Sequence, residues 1–153
     1  MSHIANGNDP FLREDERVSL HIPPVREKVF ALLIDDDAAD AAITTRLAAR
    51  SKQLDVDITV CFSVEEGLRL SARRRFDIIY VDYWLGLQTS IGFIREFTQR
   101  HDTPCVLMTG LDEPDIRRIG FRAGVQAFLS KEDLSSQGIE AVTLAVLHGR
   151  MGN

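Results

Sequence analysis

The chain has 153 residues, of which 44% are hydrophobic and 27% are charged, and its formal net charge is -5. This length and composition favour one globular domain with an ordinary hydrophobic core. The excess of acidic residues argues against nucleic acid as a direct partner, since phosphate binding needs clustered lysine and arginine. The longest apolar run, residues 29–34, is too short to cross a membrane, and no signal-peptide pattern opens the chain.

Residues 1–28 differ from the rest of the chain, because they contain three of the five prolines and a dense charge cluster at residues 13–17. Pro23 and Pro24 disfavour both a helix and a central strand. We interpret this segment as an N-terminal extension that is either flexible or forms a short docking helix from Pro10. Residues 29–149 are predicted to form the domain, and residues 150–153 a C-terminal tail.

From residue 29 onward, short apolar runs alternate with helical patterns. The predicted strands are residues 29–34, 56–60, 76–81, 105–108 and 125–129. Helices are expected after each strand, with Asp37, Ser63 and Asp112 as the N-caps of the first, second and fourth. Strands that alternate with helices imply parallel βαβ units. The predicted fold class is α/β, a five-stranded parallel sheet flanked by five helices.

Apolar spacing supports these helices. Ile43 and Leu47 lie at helical spacing on the first helix, and Val64, Leu68 and Ala72 recur every four residues on the second. Ile94 and Phe97 are expected to face inward on the third. The first-turn Asp40 suits the positive end of the first helix.

Cys61 and Cys105 lie in apolar strands and form no CxxC pair, which excludes a disulfide framework and a cysteine zinc site. We expect two buried thiols in a cytoplasmic protein.

Polar residues follow the predicted strands at their carboxyl ends, the edge where open parallel sheets bind ligands. Asp35, Asp36 and Asp37 follow the first strand, and Asp82, Thr109 and Lys131 end or follow the third, fourth and fifth. Each residue alone suits a helix cap, a turn or a solvated charge. Together they gather carboxylates, a hydroxyl and an ammonium group at one edge. Oxygen ligands suit Mg²⁺, and a central carboxylate can attack phosphorus.

These segments resemble the receiver domain of two-component response regulators. The matching stretches are residues 29–37 (VFALLIDDD), 78–82 (IIYVD), 106–110 (VLMTG) and 127–131 (AFLSK). The resemblance covers residues 29–149 and implies a flavodoxin-like, doubly wound (βα)5 fold with the strand order 2-1-3-4-5.

The resemblance implies that Asp82 accepts a phosphoryl group from a sensor histidine kinase or a histidine phosphotransfer protein. Mg²⁺ would be the cofactor, held by Asp35, Asp36, Asp82 and the backbone carbonyl of Trp84. Thr109 and Lys131 would bind the phosphoryl oxygens. The chain would take up phosphate stoichiometrically and would not be an enzyme.

Thr109 and Phe128 correspond to the switch residues of the family. Their movement would change how the face of the fourth helix, fifth strand and fifth helix binds a downstream protein or a second copy of the chain. Two departures concern loops. Glu132 replaces the proline that often follows the conserved lysine, and Gly86 and Ser90 replace the usual proline and glycine after the phosphoacceptor, which indicates a slightly longer loop.

Trp84 and Leu111 lie two residues after Asp82 and Thr109, at positions that flank the route of the attacking water in this family. Two bulky apolar groups there would exclude water, so we hypothesise a long-lived aspartyl phosphate.

No output domain is expected after the last helix, which suggests a diffusible regulator, a relay intermediate or a phosphate sink. An alternative is a pseudo-receiver scaffold that is never phosphorylated. A third reading, an aspartyl-phosphate phosphatase, needs a second carboxylate soon after the nucleophile, where this chain has Tyr83 and Trp84.

Overall fold

The computed structural model describes residues 25–110 and 114–151. Its elements are β1 (Glu27–Ile34), α1 (Ala38–Ala49), β2 (Leu54–Cys61), α2 (Val64–Arg73), β3 (Ile78–Asp82), β4 (Trp84–Leu85), β5 (Gln88–Thr89), α3 (Ile91–Arg100), β6 (Cys105–Thr109), α4 (Pro114–Ala123), β7 (Ala127–Ser130) and α5 (Ser136–Met151). The helix predicted from Pro10 and the predicted Asp112 cap lie outside the described residues. Within the described ranges, no helix is long and apolar enough to cross a bilayer.

Five of these strands form one parallel sheet with the order β2-β1-β3-β6-β7. In β1, Ile34 is in register with Cys61 of β2 on one side and with Val81 of β3 on the other. Asp82 of β3 is in register with Met108 of β6. Counted over the five predicted strands, the order is 2-1-3-4-5, which confirms the doubly wound α/β fold.

The core lies on both faces of the sheet, because alternate residues of the central strands point to opposite sides. On one face, Leu33 and Tyr80 form a cluster with Ile139 of α5 and small residues of α1. On the other face, Leu32 forms a cluster that includes side chains of α3 and α4. Phe97 of α3 is in that second cluster, so its inward placement is confirmed, as is that of Ile94. Both cysteines are buried and free, as predicted.

Two of the apolar residues at helical spacing face solvent. Ile43 is 47% exposed and Leu68 is 45% exposed. The helices bury small residues in their place, including Ala41 on α1 and Gly67 on α2. A Cβ at Gly67 would lie 2.7 Å from Cδ1 of Ile34, so α2 approaches the sheet too closely for a large side chain. Apolar spacing thus predicts the helices, but it does not reveal how close a helix lies to the sheet.

The stretch after β3 was predicted as a longer loop, and it forms a small antiparallel hairpin. Trp84 of β4 pairs with Thr89 of β5, and Ser90 donates its backbone N–H to the carbonyl of Tyr83 at 2.9 Å. Gly86 begins the two-residue turn with a φ of 67°, a backbone conformation that favours glycine. The hairpin leaves the sheet at the carboxyl edge, directly beside Asp82.

Candidate functional site

The carboxyl edge of the sheet brings together residues that are far apart in the chain. Asp35 directly follows β1, Asp82 ends β3 and Thr109 ends β6, and these three strands are neighbours in the sheet. Lys131 follows β7 and donates its backbone N–H to the carbonyl of Thr109 at 2.8 Å. The parallel strands therefore deliver all four polar residues to one edge.

Lys131 connects the carboxylates of this edge. Its Nζ lies 2.8 Å from Oδ2 of Asp35, 2.9 Å from Oδ2 of Asp82 and 3.0 Å from Oδ2 of Asp40. These contacts use all three donors of the ammonium group. Burial works to lower the pKa of Lys131, but the hydrogen bonds to the carboxylates outweigh it and hold that pKa above its ordinary value.

Asp82 is an unusually basic carboxylate. Its burial raises its pKa from 3.8 to about 6, with a further contribution from the charge of Asp35, while Lys131 acts in the opposite direction. Because Lys131 is paired with three carboxylates, one ammonium group also leaves negative charge unbalanced at this edge. A bound cation or a transferred proton would stabilise the arrangement.

Three carboxylates lie close enough to share a metal ion, because ligand atoms of Asp35, Asp36 and Asp82 all lie within 4.8 Å of one another. The surrounding backbone orients two of them. Asp37 donates its N–H to Oδ1 of Asp35 at 2.9 Å, and Gly86 donates its N–H to Oδ2 of Asp36 at 2.8 Å. The donor set is all oxygen and partly open, since Asp36 is exposed, and these properties fit Mg²⁺.

Two contributors to the site, Asp40 and Gly86, were missed by sequence reasoning. Asp40 was assigned to the helix dipole, and its N–H does bond the Asp37 cap at 3.1 Å, yet its carboxylate also reaches Lys131. Its place in the first turn of α1, directly after the residues at the end of β1, put its carboxylate near this edge. Gly86 was assigned to an irregular loop, although a glycine between two leucines is compatible with a two-residue hairpin turn.

The predicted switch aromatic, Phe128, is half-buried against α4. Its ring meets Phe121 edge-on with centroids 4.9 Å apart, and the guanidinium of Arg117 lies 5.1 Å from its centroid. A Cβ on Gly120 would lie 2.9 Å from Cζ of Phe128, so the glycine lets α4 pack closely on the ring. A change in the position of this ring would therefore alter its contacts with α4.

Of the two residues predicted to exclude water, the structure describes Trp84. Trp84 lies in the hairpin beside Asp82, about half exposed, with its ring edge-on to Tyr83 at 5.4 Å. Leu111 lies outside the described residues. The peptide bond between Lys131 and Glu132 is trans, like the other described peptide bonds.

The response regulator receiver domain family matches residues 31–143 of this chain. The chain therefore belongs to that family, as the resemblance indicated. A curated relative is the transcriptional activator protein PfeR of Pseudomonas aeruginosa, 28% identical over 116 residues. That match covers 76% of this chain and 37% of PfeR, so the chain spans well under half of that relative's length.

Solved structures share the fold at low sequence identity. The signal receiver domain of an HD domain-containing protein from Pseudomonas fluorescens has a TM-score of 0.71 and 18% identity, covering 87% of this chain and 96% of its own. A two-component response regulator from Clostridium difficile has a TM-score of 0.69 and 17% identity, covering 82% and 99%. The Mn²⁺-bound form of response regulator Rcp1 has a TM-score of 0.64 and 18% identity, covering 78% and 94%.

Proposed function

We propose that this receiver domain accepts a phosphoryl group on Asp82 from a sensor histidine kinase or a histidine phosphotransfer protein. The observation that carries the proposal is the convergence of Asp35, Asp82 and Lys131, with the ammonium group within 2.9 Å of both carboxylates. A partner of this kind implies a cytoplasmic location. Phosphate uptake is stoichiometric, so we do not assign the chain a catalytic turnover of its own.

In the proposed transfer, a carboxylate oxygen of Asp82 attacks the phosphorus atom of a phosphohistidine. The new O–P bond forms as the P–N bond breaks, and the histidine nitrogen leaves with the electron pair. Lys131 donates a hydrogen bond to Oδ2 of Asp82, so its ammonium group would lie beside the negatively charged phosphoryl oxygens. Thr109 ends β6, the strand next to β3. The acyl phosphate carries about two negative charges where the carboxylate carried one, so an edge that already has an excess of negative charge gains about one more.

Asp35, Asp36 and Asp82 would hold Mg²⁺, and the backbone carbonyl of Trp84 is proposed as a further ligand. When bound, the ion would stabilise the negative charge on the phosphoryl oxygens. The Mn²⁺-bound form of Rcp1, which shares this fold, supports a divalent ion in such a domain.

We propose that phosphorylation changes partner binding at the face formed by α4, β7 and α5. Phe128 lies in the middle of this face, and the neighbouring Phe121 is exposed on α4. A buried hydrogen bond also joins β3 to α5, because the hydroxyl of Tyr80 donates to Oγ1 of Thr143. This hydrogen bond is one contact through which a change at the end of β3 would reach α5.

The decisive experiment is intact mass measurement after incubation with acetyl phosphate and Mg²⁺, for the wild-type chain and for Asp82→Asn. We expect one phosphoryl adduct in the wild type and none in the variant. The matched control is Asp57→Asn, an exposed aspartate on β2, which should leave the adduct unchanged. No adduct from acetyl phosphate or from any histidine kinase would favour the phosphorylation-independent scaffold.

A second experiment tests the metal by isothermal titration calorimetry with MgCl₂. We expect Asp36→Asn to weaken Mg²⁺ binding at least tenfold, because charge-dense oxygen ligands dominate Mg²⁺ affinity. Unchanged affinity in that variant would remove Asp36 from the proposed ligand set.

A further inference from the structure

A second candidate site lies at the opposite edge of the sheet, where the strands begin. The start of β1, the segment between α2 and β3, and the segment between α3 and β6 surround an open cavity of about 800 Å³. None of the carboxyl-edge residues described above lines it. The cavity has no part in the proposed phosphoryl transfer.

Positive charge dominates the lining of this cavity. Its cationic side chains are Lys28, Arg73, Arg74, Arg75 and Arg100, against three acidic residues. None of the three acids is without a partner, and Lys28 pairs with Asp55 at 3.2 Å, so the excess of positive charge rests on the four arginines. Glu27 lies 3.1 Å from Nε2 of His148, and Asp77 accepts the N–H of Phe30 at 2.8 Å. The chain as a whole is acidic, with a net charge of -5, so this excess of positive charge is local.

Three of the arginines that line the cavity are available to bind an anion. Within the described part of the chain, no hydrogen bond or ion pair engages the guanidinium groups of Arg73, Arg75 and Arg100. Arg74 is anchored differently, with its guanidinium 4.9 Å from the ring centroid of Phe76 and 5.6 Å from that of Phe30. Several like charges around one cavity repel one another, and a multivalent anion relieves that repulsion.

Part of the cavity lining is apolar and buried. Phe76, Phe97 and Pro104 are buried and line the cavity. The ring of His101 stacks on Phe97, with centroids 4.3 Å apart and planes at 19°. Since His101 is exposed, its outer face offers a flat surface to a second ring. Guanidinium groups beside a flat ring surface are suited to phosphate groups joined to an aromatic base.

We propose that this cavity binds a small molecule that carries a diphosphate or triphosphate group. Arg73, Arg75 and Arg100 would contact the phosphate oxygens, since the planar guanidinium matches phosphate in a bidentate manner. The cavity volume falls within the range of about 300–1,000 Å³ that small-molecule sites occupy. The chemistry is shared by free polyphosphate and by nucleotides, and the test separates the two.

The test is isothermal titration calorimetry of the full chain with tripolyphosphate and with ATP, in EDTA and without Mg²⁺. The triple variant Arg73→Gln, Arg75→Gln, Arg100→Gln should weaken binding at least tenfold. The matched control removes three exposed arginines that do not line the cavity, by Arg46→Gln, Arg69→Gln and Arg95→Gln. It has the same net charge, and we expect a change of less than about twofold, from long-range charge alone.

Equal weakening in both triple variants would overturn the proposal, because it would mean that the anion responds only to overall charge. Absence of binding to the wild-type chain at millimolar ligand would also overturn it. His101→Ala distinguishes the two sources of phosphate. A loss confined to ATP identifies a nucleotide site, and equal binding of both ligands in that variant identifies a site for the phosphate groups alone.

Asp82→Asn separates this proposal from the phosphoryl-transfer proposal. The variant should bind tripolyphosphate as the wild type does, since Asp82 lies at the other edge of the sheet. Tighter binding in Asp82→Asn, which removes a negative charge beside Lys131, would place the anion at the carboxyl edge and would overturn the assignment to the cavity.

Discussion

The two edges of the sheet both have unbalanced charge, but of opposite sign and in different surroundings. At the carboxyl edge one ammonium group serves three carboxylates, and Asp35 among them has no exposed surface. At the amino edge three arginines have no anionic partner among the described residues, and all three are exposed. Buried excess charge destabilises the fold until an ion or a proton compensates it. Exposed excess charge is solvated by water, so it destabilises the fold little even when no ligand is bound.

The largest expected difference between the edges concerns Lys131. Lys131→Met would leave the buried Asp35 without its cation, so the free energy of unfolding should fall by about 3–5 kcal/mol at pH 7 without Mg²⁺. Urea unfolding measures this change. Lys28→Met is the control, since its pair with Asp55 at 3.2 Å is about half exposed and should be worth less than about 1 kcal/mol. An equal decrease in the free energy of unfolding in the two variants would refute the contrast between buried and exposed charge.

The second prediction concerns the pH dependence of stability in EDTA. The folded chain holds the proton of Asp82 more tightly than the unfolded chain does, with a pKa of about 6 against 3.8. The stability that this proton contributes is therefore present below pH 3.8 and is lost as the pH rises through 6. Asp82→Asn has no carboxyl group to titrate at this position, so its stability does not fall in this way as the pH rises. The variant should be more stable than wild type by about 1–3 kcal/mol at pH 7.5. Urea unfolding at pH 4 should show that this difference has disappeared.

The third prediction concerns the lifetime of the phosphorylated state and rests on the proposed function. Trp84→Asn should admit water beside Asp82 and speed loss of the phosphoryl group about tenfold, which equals ~1.4 kcal/mol in the barrier. Intact mass measured over time after removal of acetyl phosphate gives the rate. Leu87→Asn, on the same hairpin and almost fully exposed, should leave the rate unchanged. A rate equal to wild type in Trp84→Asn would end the shielding hypothesis.

A smaller effect is expected from Asp40, the third carboxylate on Lys131. Its side chain is 44% exposed, so its attraction for the ammonium group is partly screened by water. Asp40→Asn should release Lys131 toward the incoming phosphoryl group and speed adduct formation by about two- to fivefold, the range of exposed ion pairs. Initial rates with acetyl phosphate measure this, with Asp57→Asn as the control. A slower rate would show that Asp40 assists the transfer instead of competing with it.

The smallest effect is expected from the arginines of the amino edge. Because they are exposed and make no described ion pair, the Arg73→Gln, Arg75→Gln, Arg100→Gln variant should change the free energy of unfolding by less than about 0.5 kcal/mol. Urea unfolding in low-phosphate buffer tests this value. A large loss would mean that these side chains support the fold, and that the cavity is not reserved for a ligand.

The carboxyl edge was predictable because strand ends and parallel topology alone determine its composition. Asp35, Asp82 and Lys131 each follow an apolar run, and any doubly wound sheet of this strand order brings them together. The bond from Gly86 to Asp36 was not predictable in this way, since it depends on a hairpin whose position is set by tertiary packing. The outward placement of Leu68 likewise depends on the distance between α2 and the sheet.

The amino-edge cavity could not be predicted from the sequence, for a different reason. Arg73 and Arg75 lie at the end of α2 and in the segment that follows it, whereas Arg100 ends α3. In the sequence these are ordinary basic residues near helix ends, where cations suit the helix dipole. Only the packing of two helices on the same face of the sheet shows that they surround one space.

The hairpin beside Asp82 has one practical consequence. It carries Trp84, the one tryptophan of the chain, about half exposed and two residues from the proposed phosphoacceptor. An indole in such a position emits at a wavelength and intensity that respond to nearby charge and to water. The native chain therefore contains its own optical reporter, with which the proposed arrival of a cation or a phosphoryl group would be tested in real time without a label.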